Sequence, residues 1–91
     1  MRSDWDENKA TANETKHGVS FQEAATVFED PYHVVYFDPD HSDHENRFII
    51  VGESNANRLL IVSYVEKRRV TRLISAREAT RSERKSYEEE I

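Results

Sequence analysis

Three stretches rich in Ile, Val and Leu, Arg47 to Val51, Arg58 to Val65 and Val70 to Ala76, follow one another with only short polar connections between them. A fourth β-rich run, His33 to Phe37, precedes them across a loop of turn formers, D-P-D-H-S-D-H-E-N. This succession predicts a four-stranded antiparallel meander. Leu59, Leu60, Ile61 and Val62 are apolar at consecutive positions, so the strand that carries them is expected to be central and covered on both faces. In the last run a period of two sets Val70, Arg72 and Ile74 on one face and Thr71, Leu73 and Ser75 on the other. Arg47, at the start of its strand, is placed to project from it.

Helical signals flank the strands. Trp5, Lys9 or Ala12, and Lys16 stand at helical spacing, with acids in the first turn and Lys16, His17 and Gly18 closing the pattern, which predicts a helix over about residues 6–17. Ser20 to Glu23 fits a capping box, and Phe21, Ala24, Ala25 and Phe28 form the apolar stripe of a short second helix ending at Glu29-Asp30-Pro31. Thr80 to Glu83 fits a second box and starts a last helix over about residues 81–89. Ser75 to Glu78 fits one too; a helix starting there would align Arg77, Arg81 and Arg84 on one face. The resulting order is ααββββα, an α+β chain of two N-terminal helices, a four-stranded antiparallel sheet and a C-terminal helix, read as one domain over residues 1–91 because so short a chain buries only one small core.

The net charge of −5 conceals a division. Residues 1–46 carry three Lys or Arg against eleven Asp or Glu, a net −8, whereas residues 47–87 carry ten against four, a net +6. Arg72, Arg77, Arg81 and Arg84 gather where the last strand gives way to the last helix, which is either the outline of a phosphate-facing surface or a set of arginines solvated or paired with Glu78, Glu83 and the Glu88 to Glu90 run. Absence of cysteine excludes disulfides, thiolate zinc sites and a thiol nucleophile. His41 and His44 stand among Asp38, Asp40, Asp43 and Glu45, but that segment is a loop of turn residues and not a pair of rigid elements, so no metal or cofactor is expected. Trp5 is expected to anchor the first helix in the core. The longest unbroken apolar run, Leu59 to Val62, is far too short for a membrane span, and no apolar signal core follows Met1, so a cytoplasmic chain with no membrane partner is expected. No Gly-rich phosphate loop or Ser/His/Asp spacing is present.

Four segments together resemble the BrnT toxins: W-D-x-x-K-x-x-x-N-x-x-K-H-G-V-x-F-x-E-A from Trp5 to Ala24, H-S-D from His41 to Asp43, R-F-I-I-V-G from Arg47 to Gly52, and R-L-I-S-A-R-E-A-T-R-S-E-R from Arg72 to Arg84. The resemblance implies a RelE-like fold and a ribonuclease toxin of a bacterial type II toxin–antitoxin system. It implies as partner a BrnA-like antitoxin with a ribbon-helix-helix DNA-binding domain, with operator DNA bound only through that antitoxin. Function is expected at Lys16, His17, Arg47, Arg72, Ser75, Arg77, Thr80 and Arg81, with Arg84 adding to RNA binding. Metal-free cleavage of RNA needs a base, an acid and cations for the phosphorane. The expectation is that Arg72, Arg77 and Arg81 stabilise the scissile phosphate and that His17 or Lys16 moves a proton, in an endoribonuclease that inhibits translation and growth. The antitoxin is expected to cover the basic surface around these arginines and to leave the acidic half outside. The alternative is a non-catalytic module that forms a regulatory complex with a DNA-binding partner.

Overall fold

In the computed structural model, which describes residues 2–41 and 45–90, the chain opens with strand β1 (Arg2–Asp4), helix α1 (Glu7–His17), helix α2 (Phe21–Ala25) and a 3-10 turn (Thr26–Glu29). It continues with β2 (Val34–Phe37), a second 3-10 turn (Pro39–His41), β3 (Arg47–Glu53), β4 (Leu59–Lys67), β5 (Val70–Glu78) and α3 (Arg81–Glu90). Ser42, Asp43 and His44, part of the acidic loop, lie outside the described residues. Among the described residues no helix is long and apolar enough to cross a membrane.

The sheet departs from the expected meander. It has five strands in the order β1-β5-β4-β3-β2 and is mixed, because β1 pairs in parallel with β5 while every other pair is antiparallel. The order is therefore βααββββα. Arg2-Ser3-Asp4 has neither β-branched residues nor alternation, so nothing local marks it as a strand. Its extended form comes from the open backbone edge of β5, against which Arg2, Ser3 and Asp4 align with Val70, Thr71 and Arg72.

Both helix starts follow their caps. Asp6 Oδ1 accepts from the Lys9 amide at 3.0 Å, and Ser20 Oγ from the Glu23 amide at 3.1 Å. Gly18 ends α1 at φ +70°, its N–H donating to Glu14 O at 2.8 Å. α1 and α2 cover one face of the sheet, where Phe21, Ala24 and Val27 pack with Ile50, Leu60, Val62, Tyr64, Leu73 and Ala76. Trp5 joins this core, as expected, its ring edge-on to Phe21 with centroids 6.0 Å apart. Removing a ring as deeply buried as Phe21 costs about 3–5 kcal/mol. The other face carries a smaller cluster of Val51, Leu59 and Tyr87 under α3. β4 is central as expected, sending Leu60 and Val62 to one core and Leu59 and Ile61 to the other.

Two side chains tie the layers together. Asn13 is buried, and its amide reads the free backbone edge of Ala76 as a strand would, donating to Ala76 O at 2.8 Å and accepting from Ala76 N at 3.0 Å. Asn13 thus satisfies the β5 edge beyond the reach of β1. Arg58 is spent on structure: its guanidinium binds Glu23, Glu78 and the Gly18 carbonyl.

Candidate functional site

The site is built by one irregularity in β5. Ser63 pairs with Ser75 and Tyr64 with Leu73, so Ile74 is an extra residue, a β-bulge. Uninterrupted alternation from Arg72 would turn Arg77 to the opposite face. The bulge adds one step and returns Ser75 and Arg77 to the side of Arg72, while Leu73 and Ala76 stay in the helix-covered core. Residues directly paired across antiparallel strands share a face, so the register lays out the surface in rows. Arg47, Val65 and Arg72 form one row, Tyr36, Ile49, Ser63 and Ser75 the next, and Val34, Val51, Ile61 and Arg77 the third.

α3 stands at the third row. Between it and the sheet lies a cleft of about 290 Å³ lined in part by Tyr36, Ile49, Arg77, Glu83 and Tyr87. The helix starts where the second capping box says: Thr80 N donates to Glu83 Oε1 at 2.9 Å and Glu83 N donates to Thr80 Oγ1 at 3.1 Å. Arg77 holds the other side of the same carboxylate, Nη1 to Oε1 at 2.7 Å and Nη2 to Oε2 at 2.8 Å. These donors, Arg77 first and the Thr80 amide second, pull the Glu83 pKa down to about 2. Glu83 in turn raises that of Arg77. Across the cleft Tyr36 Oη donates to Glu90 Oε1 at 2.9 Å, and burial together with that carboxylate raises the phenol pKa. Tyr87 Oη donates to Asp30 Oδ2 at 2.9 Å and is pushed up to about 12, by burial first and Asp30 second.

At the first row, Arg72 Nη1 reaches Asp4 Oδ2 at 2.6 Å, a pair made by the β1–β5 register. Arg47 is half-buried at the start of β3. Beside Arg72, the β4–β5 hairpin contributes Lys67 and Arg68 to a second depression of about 370 Å³.

The structure therefore brings Arg47, Arg72, Ser75 and Arg77 onto one face. It does not bring the other candidates there. Arg77 lies in β5 and not in a helix, so Arg77, Arg81 and Arg84 form no common helical face; β5 runs on to Glu78 because β4 offers it partners as far as Leu60. Arg81 and Arg84 are exposed on α3, and helical spacing turns both away from the side carrying Ser82, Glu83 and Ser86. Thr80 is used as a cap. Lys16 and His17 are exposed at the end of α1, a helix packed on the opposite face of the sheet, and neither lines the cleft. Tyr36 and Asp4 are the residues that sequence reasoning missed, and neither carried a local signal. Glu83 was legible twice, as the last residue of the Thr80–Glu83 capping box and as a partner open to the arginines, and the structure gives it both roles. Of the acidic loop, His41 Nδ1 lies 2.9 Å from Asp38 Oδ2, and no group of three metal-ligating side chains forms among the described residues.

This arrangement, with α1 and α2 on one side of a mixed sheet and α3 on the other, is a fold shared with a solved ribonuclease toxin. The crystal structure of the Brucella abortus ribonuclease toxin BrnT is similar over 89% of this chain and 100% of that one, with a TM-score of 0.64 and 22% sequence identity. The family model for the ribonuclease toxin, BrnT, of type II toxin–antitoxin systems matches residues 5–83, and the chain belongs to that family. No curated protein matches the sequence. As a type II toxin it belongs to a system with an antitoxin partner.

Proposed function

We propose that the chain is a metal-independent endoribonuclease that cuts RNA on the face carrying Arg47, Arg72, Ser75 and Arg77, and thereby inhibits translation and growth. The observation that carries this reading is the β5 bulge, which gathers these residues on one surface next to a cleft. In the reaction the 2′-oxygen attacks phosphorus, the bond to the 5′-oxygen breaks, and a 2′,3′-cyclic phosphate and a 5′-hydroxyl result. Arg72 and Arg77 clamp the scissile phosphate and stabilise the added charge of the phosphorane, with Arg47 at the flank. To reach Arg77 the phosphate displaces Glu83, whose pKa then rises toward the ordinary carboxylate range, so that it can take the 2′-hydroxyl proton. Tyr36, protonated at neutral pH, donates to the leaving 5′-oxygen. Lys16 and His17 take no step in this scheme.

The partner in this reading is a BrnA-like antitoxin with a ribbon-helix-helix domain, which alone contacts operator DNA; family membership supports it. The experiment is cleavage of an end-labelled RNA by purified toxin in EDTA, with the product ends analysed. Cyclic phosphate ends formed at an unchanged rate in EDTA are the expected result. Loss of cleavage that magnesium or zinc restores would sink the metal-free mechanism, and no cleavage under any condition would favour the non-catalytic module.

A further inference from the structure

β2 ends the sheet, and among the described residues no strand pairs with its outer side. Asp38 N donates to Arg47 O at 2.8 Å, so the inward-bonded residues of β2 are the even ones, and the N–H and C=O groups of Val35 and Phe37 point outward. The side chains around them are also open: Tyr32 is 62% exposed, Val35 44%, Tyr36 44% and Phe37 53%, the large exposed hydrophobic residues among those described. An apolar, unbulged edge of this kind is a template for strand addition.

Charge decides what can add. No Lys or Arg occurs between Lys16 and Arg47, and β2 is bracketed by Glu29 and Asp30 before it and by Asp38 and Asp40 after it. Antiparallel pairing of two copies through this edge would set acidic flank against acidic flank, which is unfavourable. A segment with an apolar core and Lys or Arg at both ends meets the edge with opposite charge.

We propose that β2 is a docking strand for a short extended segment of the antitoxin, four or five apolar-alternating residues bracketed by basic ones, added to the sheet beside Val35 and Phe37. The partner class rests on the toxin reading, but the contact lies at the sheet edge remote from β5 and on the acidic half of the sequence, where the charge division places no antitoxin.

The test uses the toxin alone and in its complex with the cognate antitoxin. In the complex the amides of Val35 and Phe37 exchange with deuterium at least tenfold more slowly than in the free toxin. A synthetic peptide of alternating valine and threonine with two lysines at each end binds the free toxin. Replacing the lysines by glutamates weakens it at least tenfold, and N-methylation of the core amides abolishes binding with the protein unaltered. Val35→Pro removes the outward N–H and lowers antitoxin affinity, and Val35→Thr retains it. Unprotected amides in the complex, equal binding of the glutamate or N-methylated peptide, or dimerisation of free toxin through this edge would each overturn the proposal. RNA cleavage by the free toxin is read separately, so its loss would indict the ribonuclease reading and leave the docking result standing.

Discussion

Glu83 stands at the junction of structure and chemistry, since one carboxylate caps α3 through Thr80 and occupies Arg77. Glutamine preserves the cap but not the charge, so Glu83→Gln should bind RNA several-fold more tightly while cleaving it about 100-fold more slowly, the usual scale of losing a general base. Gel-shift affinity and single-turnover rates on the same RNA check both halves, and tighter binding with undiminished cleavage would remove Glu83 from the mechanism. The pair also sets an acid limit. A carboxyl whose folded pKa is lowered from an ordinary 4.5 to about 2 adds stability that is complete above 4.5 and is lost as the pH falls through about 2. Acid titration followed by circular dichroism should therefore show α3 loosening in that window, with the Glu83→Gln profile flatter there.

At the scale of elements, β3 and β5 were legible through period-two alternation, β4 through its unbroken apolar run and α3 through its capping box, because these are local signals. β1 was not, because Arg2-Ser3-Asp4 is extended only through its partner, and neither was the bulge, because an inserted Ile74 leaves an ordinary apolar residue in an apolar run. The bulge decided the site: read with strict alternation, β5 separates Arg72 from Arg77. The β4–β5 hairpin was equally silent. Its tip residues Arg68 and Arg69 take φ of +51° and +70°, the left-handed conformation that two-residue hairpins usually give to Asn-Gly. Each such residue costs about 1–2 kcal/mol. Changing Arg68 to Asn and Arg69 to Gly should raise Tm by about 5 °C or more in calorimetry. The same change should weaken RNA binding, because the tip cations continue the basic surface past Arg72; a stabilised variant with full RNA affinity would confine the surface to the sheet.

Across the whole molecule, the split into an acidic and a basic half holds in sequence but not in space. Asp4 from the acidic half pairs with Arg72, Glu23 with Arg58, and Arg77 is held by Glu83. The cationic surface is therefore local, and a few phosphate contacts made by Arg47, Arg72 and Arg77 predict a modest salt dependence. The slope of log affinity against log salt for single-stranded RNA should be about −2. A slope near zero would contradict electrostatic binding on this face. The claim that the bulge-phased sheet face, and neither the outer side of α3 nor the end of α1, is the cutting surface has one direct test. It is the single-turnover cleavage rate of one labelled RNA by Arg72→Ala, Arg77→Ala, Arg81→Ala, Lys16→Ala and His17→Ala, each verified as folded by circular dichroism. The account predicts losses of at least about 100-fold for the two β5 variants. It predicts rates within about twofold of the parent for the other three, since none of these residues lies in the sheet that carries Arg72 and Arg77. Full activity in Arg77→Ala, or a collapse confined to Lys16→Ala and His17→Ala, would contradict it.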